Sequence, residues 1–463
     1  MITRISLENF KSWKEAINVR MAPITGLFGS NSCGKTSLLQ ILLMLKQTAE
    51  SSDRSQVLNL GDDRSLVELG NYNDIIFDHK SGVPLKWGLA WNLGSELKID
   101  DPEHKGKVLF KGKNIELNLE IEENGSGRII VNNMAYMFDS HEFVMKRHAK
   151  QKNQYELIFN SIDMPASSIH HFKFKRTQGR VWNLPAPVKC YGFPDQVRAY
   201  YQNAGFLADF ELAFEELFSG VYYLGPLRDY PKRQYTWAGA QPADMGRRGE
   251  RVVDALLSSR DRKVSISRGK GLKRLTLDEY VAWWLKELNL IHSFSVEPIT
   301  EGSNLYRVFV QKTPTSAKVL VTDVGFGVSQ ILPVLTICYY VPEGSTILME
   351  QPEIHLHPSV QAGLADVFID AIKTRNVQIV LESHSEYLLK RLQRRIAEKK
   401  ISSEDAVLYF CNMKGGKSNL IKLELDLFGN INNWPQDFFG DQVGEIASTS
   451  LAQMKRKKQV VPS

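Results

Sequence analysis

The eight residues GSNSCGKT (Gly29–Thr36) constrain this chain more than any other stretch, because they match the pattern G-x-x-x-x-G-K-[ST]. Each part of that pattern has a physical reason. Glycines let successive backbone N–H groups turn inward on phosphate oxygens. A helix that starts at the end of the loop aims its positive pole at the same point. A lysine at Lys35 supplies a mobile charge for the outer phosphates, and the hydroxyl of Thr36 suits Mg²⁺. The flanks agree: ITGLFG reads as a short apolar strand and TSLLQILLMLKQ as a helix with Leu38, Leu42 and Leu45 on one face. The candidate phosphate-holding residues are Gly29, Ser30, Asn31, Ser32, Cys33, Gly34, Lys35, Thr36 and Ser37.

A strand–loop–helix of this kind needs a sheet to sit in, and the rest of the chain supplies one. RISLENF and AINVRM alternate like a half-buried hairpin. Strand-like runs such as LKWGLAWNL, GRIIVNN and YELIFNS follow between Gly and Asn turns, then a helical piece, Asp195–Phe218. After about residue 221 the pattern becomes β/α: a Gly-rich turn into GVSQILPVLTICYYV, strand STILME, a helix after Pro358, strand VQIVLE and a helix after Ser385. That order predicts an α/β head with a mostly parallel sheet and flanking helices, an N-terminal antiparallel strand layer and a β-rich insertion. The expected division is 1–80 for the first part of the head, 81–220 for the insertion, 221–425 for the second part and 426–463 for an extension with a basic tail.

A phosphate loop also needs an acid at the end of a neighbouring buried strand. STILME offers Glu350 for the Mg²⁺ side. Beyond it, Glu353 is a carboxylate that could position or activate water, and His384 stands just past the next strand end, where an imidazole can meet a phosphate or orient a water. Glu353, His355 and His357 could also be read as metal ligands, but the histidines lack the helical i, i+4 zinc spacing.

Composition narrows the class. With 43% hydrophobic and 24% charged residues the chain is an ordinary globular one, and no apolar run nears the roughly 18 residues that cross a bilayer. The start, MITRISLENF, reads as a strand and not as a signal sequence, and the four scattered cysteines fit a reducing compartment, so a cytoplasmic location is expected. Net charge is +6, with basic runs at 173–176, 259–274, 389–400 and 455–458 that suit either a solvated face or DNA backbone contact.

Taken together, NFKSW, GLFGSNSCGKTS, VGFGVSQILPVL, ILMEQPEIHLHP and LESHSEYLL resemble, in type and order, the motifs of ABC-type ATPase heads of the RecF, SMC and OLD group. The resemblance runs from residue 9 to about 390 and implies an ATP and Mg²⁺ site completed by a second chain, hence at least an ATP-dependent dimer. It implies that the turn with Gly325, Gly327 and Ser329 reaches the partner's nucleotide, although Gly325 stands where Ser is usual. It places NFKSW near the nucleotide edge, offers LGNYND (69–74) for the Gln loop, and puts Gln351 at the usual catalytic Glu. A Gln can orient water but cannot take its proton, so slow turnover is expected. YYLGPLRDYPKRQY and GNINNWPQDFF are similar to stand-alone ATPases of bacterial anti-phage systems, of the Septu type with an HNH nuclease partner or the PARIS type with a TOPRIM effector. The stretch after His384 holds no H-N-H constellation, so a nuclease would come from a separate protein. The alternative is a RecF-like DNA-repair clamp with no nuclease partner.

Overall fold

The computed structural model describes residues 1–80, 82–102, 104, 106–149, 154–161, 172–179, 183–269, 271–435, 438–439, 448–454 and 456. The basic run at 455–458 lies almost wholly outside them. The chain opens with β1 (Ile2–Phe10) and β2 (Trp13–Arg20), enters β3 (Ile24–Gly29) and leaves through the phosphate loop into α1 (Lys35–Glu50). A short α2 (Tyr72–Ile75) precedes β4 (Leu85–Asp100), β5 (Val108–Glu123), β6 (Ile129–Phe138), β7 (His141–Arg147) and β8 (Tyr155–Ser161). Helices α3 (Asp195–Tyr200) and α4 (Leu207–Ser219) lead to β9 (Val221–Leu224) and β10 (Tyr235–Thr236). Then come α5 (Val252–Asp261), the small ribbon β11 (Ser265–Ile266) and β12 (Leu275–Thr276), α6 (Leu277–Glu287), β13 (Ser293–Pro298), β14 (Leu305–Gln311) and β15 (Val319–Leu320). The last part runs α7 (Phe326–Tyr340), β16 (Thr346–Glu350), α8 (Pro358–Arg375), β17 (Gln378–Glu382), α9 (Glu386–Ala397), β18 (Ala406–Lys414) and β19 (Lys417–Lys422).

The central sheet has the order β19-β18-β3-β17-β16-β9, parallel throughout except for β19. Strands β3, β16 and β17 are buried at every position, as strands covered on both faces must be. Side chains of these strands and of β18 alternate between two cores. Leu27, Leu348, Val380 and Val407 face α1, α4 and the N-terminal sheet, while Phe28, Ile347, Leu381 and Leu408 face α5 to α9. Each fully buried Leu or Phe contributes roughly 1.5–3 kcal/mol over leaving it exposed.

The strands of 81–161 extend the N-terminal layer: β4 pairs directly with β1, giving one antiparallel layer in the order β2-β1-β4-β5-β6-β7-β8. Helix α1 is not apolar on one face only, since Leu39, Leu43 and Met44 are as buried as Leu38, Leu42 and Leu45. The helix is enclosed between the parallel sheet and α4, and that enclosure removes its solvent face. No helix among the described residues is long and apolar enough to cross a membrane. The four cysteines are unpaired and buried.

Candidate active site

In an open parallel sheet the strand C-termini share one edge, and loops there form the site. Here that edge gathers the phosphate loop after β3, Glu350 at the end of β16, and Glu382 to His384 at the end of β17. The loop backbone is built for glycine at two points. Gly29 has φ 131°, and a Cβ there would lie 2.0 Å from the Cys411 carbonyl oxygen. Gly34 has φ 91°, and a Cβ would meet Ser418 Oγ at 2.5 Å and Trp13 Nε1 at 2.8 Å. NFKSW thus supports the loop from behind: Trp13 is fully buried and donates to the Gly34 carbonyl at 2.9 Å, and Ser418 Oγ donates to Ser12 Oγ at 2.6 Å.

Helix α1 starts at Lys35 with no side-chain cap and no acid in its first turn, which leaves its first N–H groups for an anion. Lys35 folds back over the loop, donating to the Ser30 carbonyl at 2.6 Å and the Gly29 carbonyl at 3.2 Å, with Glu382 at 3.8 Å. Thr36 Oγ1 donates to Glu382 Oε2 at 2.7 Å. Cys33 is buried, its Sγ 3.0 Å from the Ser30 carbonyl. The neighbouring Cys411 thiol chiefly holds the Cys33 thiol below its ordinary value, with burial opposing and Lys35 assisting.

The acids are arranged in two rows. Glu350 and Glu382 sit opposite each other in the β16–β17 register. Glu350 accepts from the Tyr223 hydroxyl at 2.7 Å. Burial pushes its carboxyl up to about 7 and the Glu382 charge adds to this, while Tyr223 and Arg228 oppose it. Past the strand end, Gln351 adopts a left-handed φ of 44° and its N–H donates to the Glu382 carbonyl at 2.8 Å. That turn brings Glu353 back under the next loop, where its Oε1 accepts from the His384 N–H at 2.7 Å. Glu353 Oε2 is buried with no hydrogen-bond partner among the described residues, and burial raises this carboxyl. Burial, then the charge of Lys35, lowers His384 below its ordinary value, so its ring is neutral near pH 7.

Every predicted phosphate-loop residue, Glu350, Gln351, Glu353 and His384 therefore meet at one edge. Sequence reasoning missed Glu382, Tyr223 and Arg228. Glu382 was legible as the acid ending a strand next to Glu350's. Tyr223 and Arg228 were not, because only the sheet order shows that β9 flanks β16. Gly325, Gly327 and Ser329 form the start of α7, and Ser329 Oγ is spent on the Phe326 carbonyl at 2.8 Å. Among the described residues no hydrogen bond or ion pair joins that turn to the phosphate loop. LGNYND forms a capped turn in which Asn71 caps α2, and the Tyr72 hydroxyl donates to the Ile121 carbonyl at 2.8 Å. His357 caps α8.

The residues fit a nucleotide with a hard cation. Thr36 Oγ1, Glu382 and Glu350 provide oxygen donors of the kind Mg²⁺ takes beside retained water. Among the described residues no three or more His, Cys, Asp and Glu side chains converge as metal ligands.

The strand order and this loop define a P-loop head of mixed α/β type. Residues 1–183 match a family model described as "AAA ATPase domain", and residues 258–390 match one described as "AAA domain, putative AbiEii toxin, Type IV TA system". Residues 401–448 match a model described as "Protein of unknown function (DUF3696)". The chain thus carries ATPase-domain sequence on both halves of the site, since the first model spans the phosphate loop and the second spans Gly325 to His384. No curated protein matches the chain. Among solved structures, an Smc head bound to the C-winged helix domain of ScpA has 10% identity and TM-score 0.45, covering 92% of this chain and 98% of that one. An SMC head domain from Thermotoga maritima has 10% identity and TM-score 0.38, covering 91% and 99%. An Smc head with an extended coiled coil bound to the C-terminal domain of ScpA, from Pyrococcus furiosus, has 9% identity and TM-score 0.44, covering 98% and 99%. These scores are low, and the fold assignment stands on the strand order.

Proposed function

We propose that this chain is an ATP-binding, slowly hydrolysing regulatory ATPase that controls a separate effector in bacterial anti-phage defence, in the manner of PtuA, the ATPase of the Septu system. Bound Mg-ATP supplies the scissile phosphoanhydride and the cation's charge. Lys35 and the α1 N-terminus would hold phosphate, Thr36 with Glu382 and Glu350 would hold the cation, and His384 would stand beside the outer phosphate. The observation that carries the slow-switch reading is the state of the two carboxyl positions. Gln351 cannot accept a proton, and one oxygen of Glu353 is spent on holding the His384 loop, leaving Oε2 alone to receive a proton from water. The match of 258–390 to a family described by a toxin supports the defence side. Steady-state turnover tests it. Gln351→Glu is expected to raise the rate about 10-fold or more, and Glu353→Gln to lower it at least as much. A fast wild type that neither change affects would sink the reading.

A specific surface favours the second reading, direct DNA contact. Two adjoining concavities meet at Arg20, and Lys14, Lys111, Lys113, Lys414 and Lys417 line them with no ion-pair partner among the described residues. Two of the runs singled out from sequence, 259–274 and 389–400, are partly neutralised locally: Arg391 and Arg395 pair with Asp366, Arg394 with Glu398, and Arg260 with Asp278. A clamp would bind duplex DNA alone, with affinity falling steeply as salt rises and the slope easing in a Lys111→Glu/Lys113→Glu variant. No binding without an effector favours the defence reading.

A further inference from the structure

Arg228 is the least explained side chain near the site. It lies in the loop after β9, and β9 runs parallel to β16 as its outer neighbour, so the loop opens on the same edge as Glu350. Two backbone bonds fix the loop, Gly225 N–H to the Arg247 carbonyl at 2.8 Å and Asp229 N–H to the Arg248 carbonyl at 2.9 Å. The fixing turns alternate side chains in opposite directions. Leu227 and Tyr230 are 66% and 68% exposed, whereas Arg228 is 5% exposed. Inside, its Nη2 reaches the Glu350 carbonyl at a long 3.4 Å, and its Nε and Nη1 have no hydrogen-bond partner among the described residues. Burial lowers this guanidinium to about 10, which leaves it charged at neutral pH, and Glu350 and Glu353 attract it.

A buried guanidinium with two unpartnered nitrogens is costly, and so is the bare Oε2 of Glu353 that shares its surroundings. A purely structural arginine between these acids would bond a carboxylate side chain. Arg228 instead bonds a backbone carbonyl and keeps its fork open. A planar fork of N–H donors is the group that best matches phosphate oxygens. The phosphate loop follows β3 and would hold the inner phosphates, while the acids end the next two strands, β17 and β16, with the Arg228 loop after β9 beyond them, so the acids' side of the site is where the outermost phosphate belongs.

We propose that Arg228 reads the terminal phosphate of the nucleotide, using its free N–H groups to distinguish a nucleoside triphosphate from a diphosphate. The inference rests on the ATP-binding reading above. The same loop carries Tyr230, whose ring meets that of Phe326 at the start of α7 with centroids 6.0 Å apart. The triphosphate state is thereby linked by one short rigid loop to the surface beside the Gly325 turn.

Equilibrium binding of fluorescent ATP and ADP analogues with Mg²⁺ to the full chain tests this. Arg228→Gln is expected to weaken ATP about 10-fold or more, the effect of one charge-assisted contact, and to change ADP by less than about twofold. Arg228→Lys keeps the buried charge but loses the fork, and should weaken ATP several-fold with ADP unchanged; it carries the test if the Gln variant fails to fold. Equal weakening of both nucleotides would mark Arg228 as structural, and unchanged ATP binding in either folded variant would overturn the proposal. If wild type bound neither nucleotide, the ATP reading itself would fall.

Discussion

Glu350 shows how the fold sets the charge state of a single residue. Its carboxyl is held at about 7, chiefly by burial, against an ordinary 4.5. The folded chain therefore binds this proton more tightly than the unfolded chain does. Stability is favoured below about pH 4.5 and is progressively lost as pH rises to about 7, by at most about 3 kcal/mol. Glu353, also raised by burial, acts in the same direction, whereas the lowered His384 opposes it by penalising acid. The difference between wild type and Glu350→Gln isolates the one group. Without nucleotide or Mg²⁺, the Gln variant is expected to gain stability over wild type between pH 5 and pH 7.5, read from urea midpoints. A constant difference across that range would show that Glu350 stays ionised throughout. Gln351 makes a related point about local cost. A non-glycine residue with φ 44° carries roughly 1–2 kcal/mol of backbone strain, and here that turn places both the Glu382 contact and Glu353.

At the scale of elements, the sequence was most legible where local physics and tertiary context agree. The phosphate loop is such a place: its glycines are required by φ and by contacts with Trp13, Ser418 and Cys411. Strands β3, β16 and β17 were readable as short apolar runs because both of their faces are covered. Helix α1 was readable as a helix but not as an enclosed one, since no local pattern announces what packs on its outer side. The join of β4 to β1 was hidden for the same reason, because strand pairing across the intervening residues 11–84 leaves no local trace. The β-branched stretch AKVLVTDV (317–324) suits a longer strand, yet only Val319–Leu320 pair as one, and the chain then coils into a turn ahead of α7. Arg228 belongs with these. GPLR reads as a turn, and its position beside Glu350 exists only once β9 has docked on β16.

At the scale of the whole molecule, the open question is what covers the start of α7. That helix begins without a side-chain cap or an acid in its first turn, so its N–H groups are open to an anion. Around it Leu227, Tyr230 and Phe326 are large, apolar and more than half exposed, and an Arg233–Asp323 ion pair stands beside them. An apolar cluster around an uncapped helix start suits a partner that brings both a phosphate and a packing surface, as a second copy holding ATP would. A stable contact of this kind buries about 800 Å² per chain. With Mg-ATP the wild type is expected to pass from one chain to two by light scattering, and slowed hydrolysis in Glu353→Gln should prolong the paired state. Phe326→Glu places a charge where the partner's phosphate and apolar surface would sit. It is expected to stay at one chain under the same ATP while binding nucleotide as tightly as wild type in the unpaired state. If Phe326→Glu pairs as readily as wild type, the α7 face is not the contact. If ATP leaves the wild-type mass unchanged, the two-chain site is wrong, and the slow turnover would have to be read within a single chain.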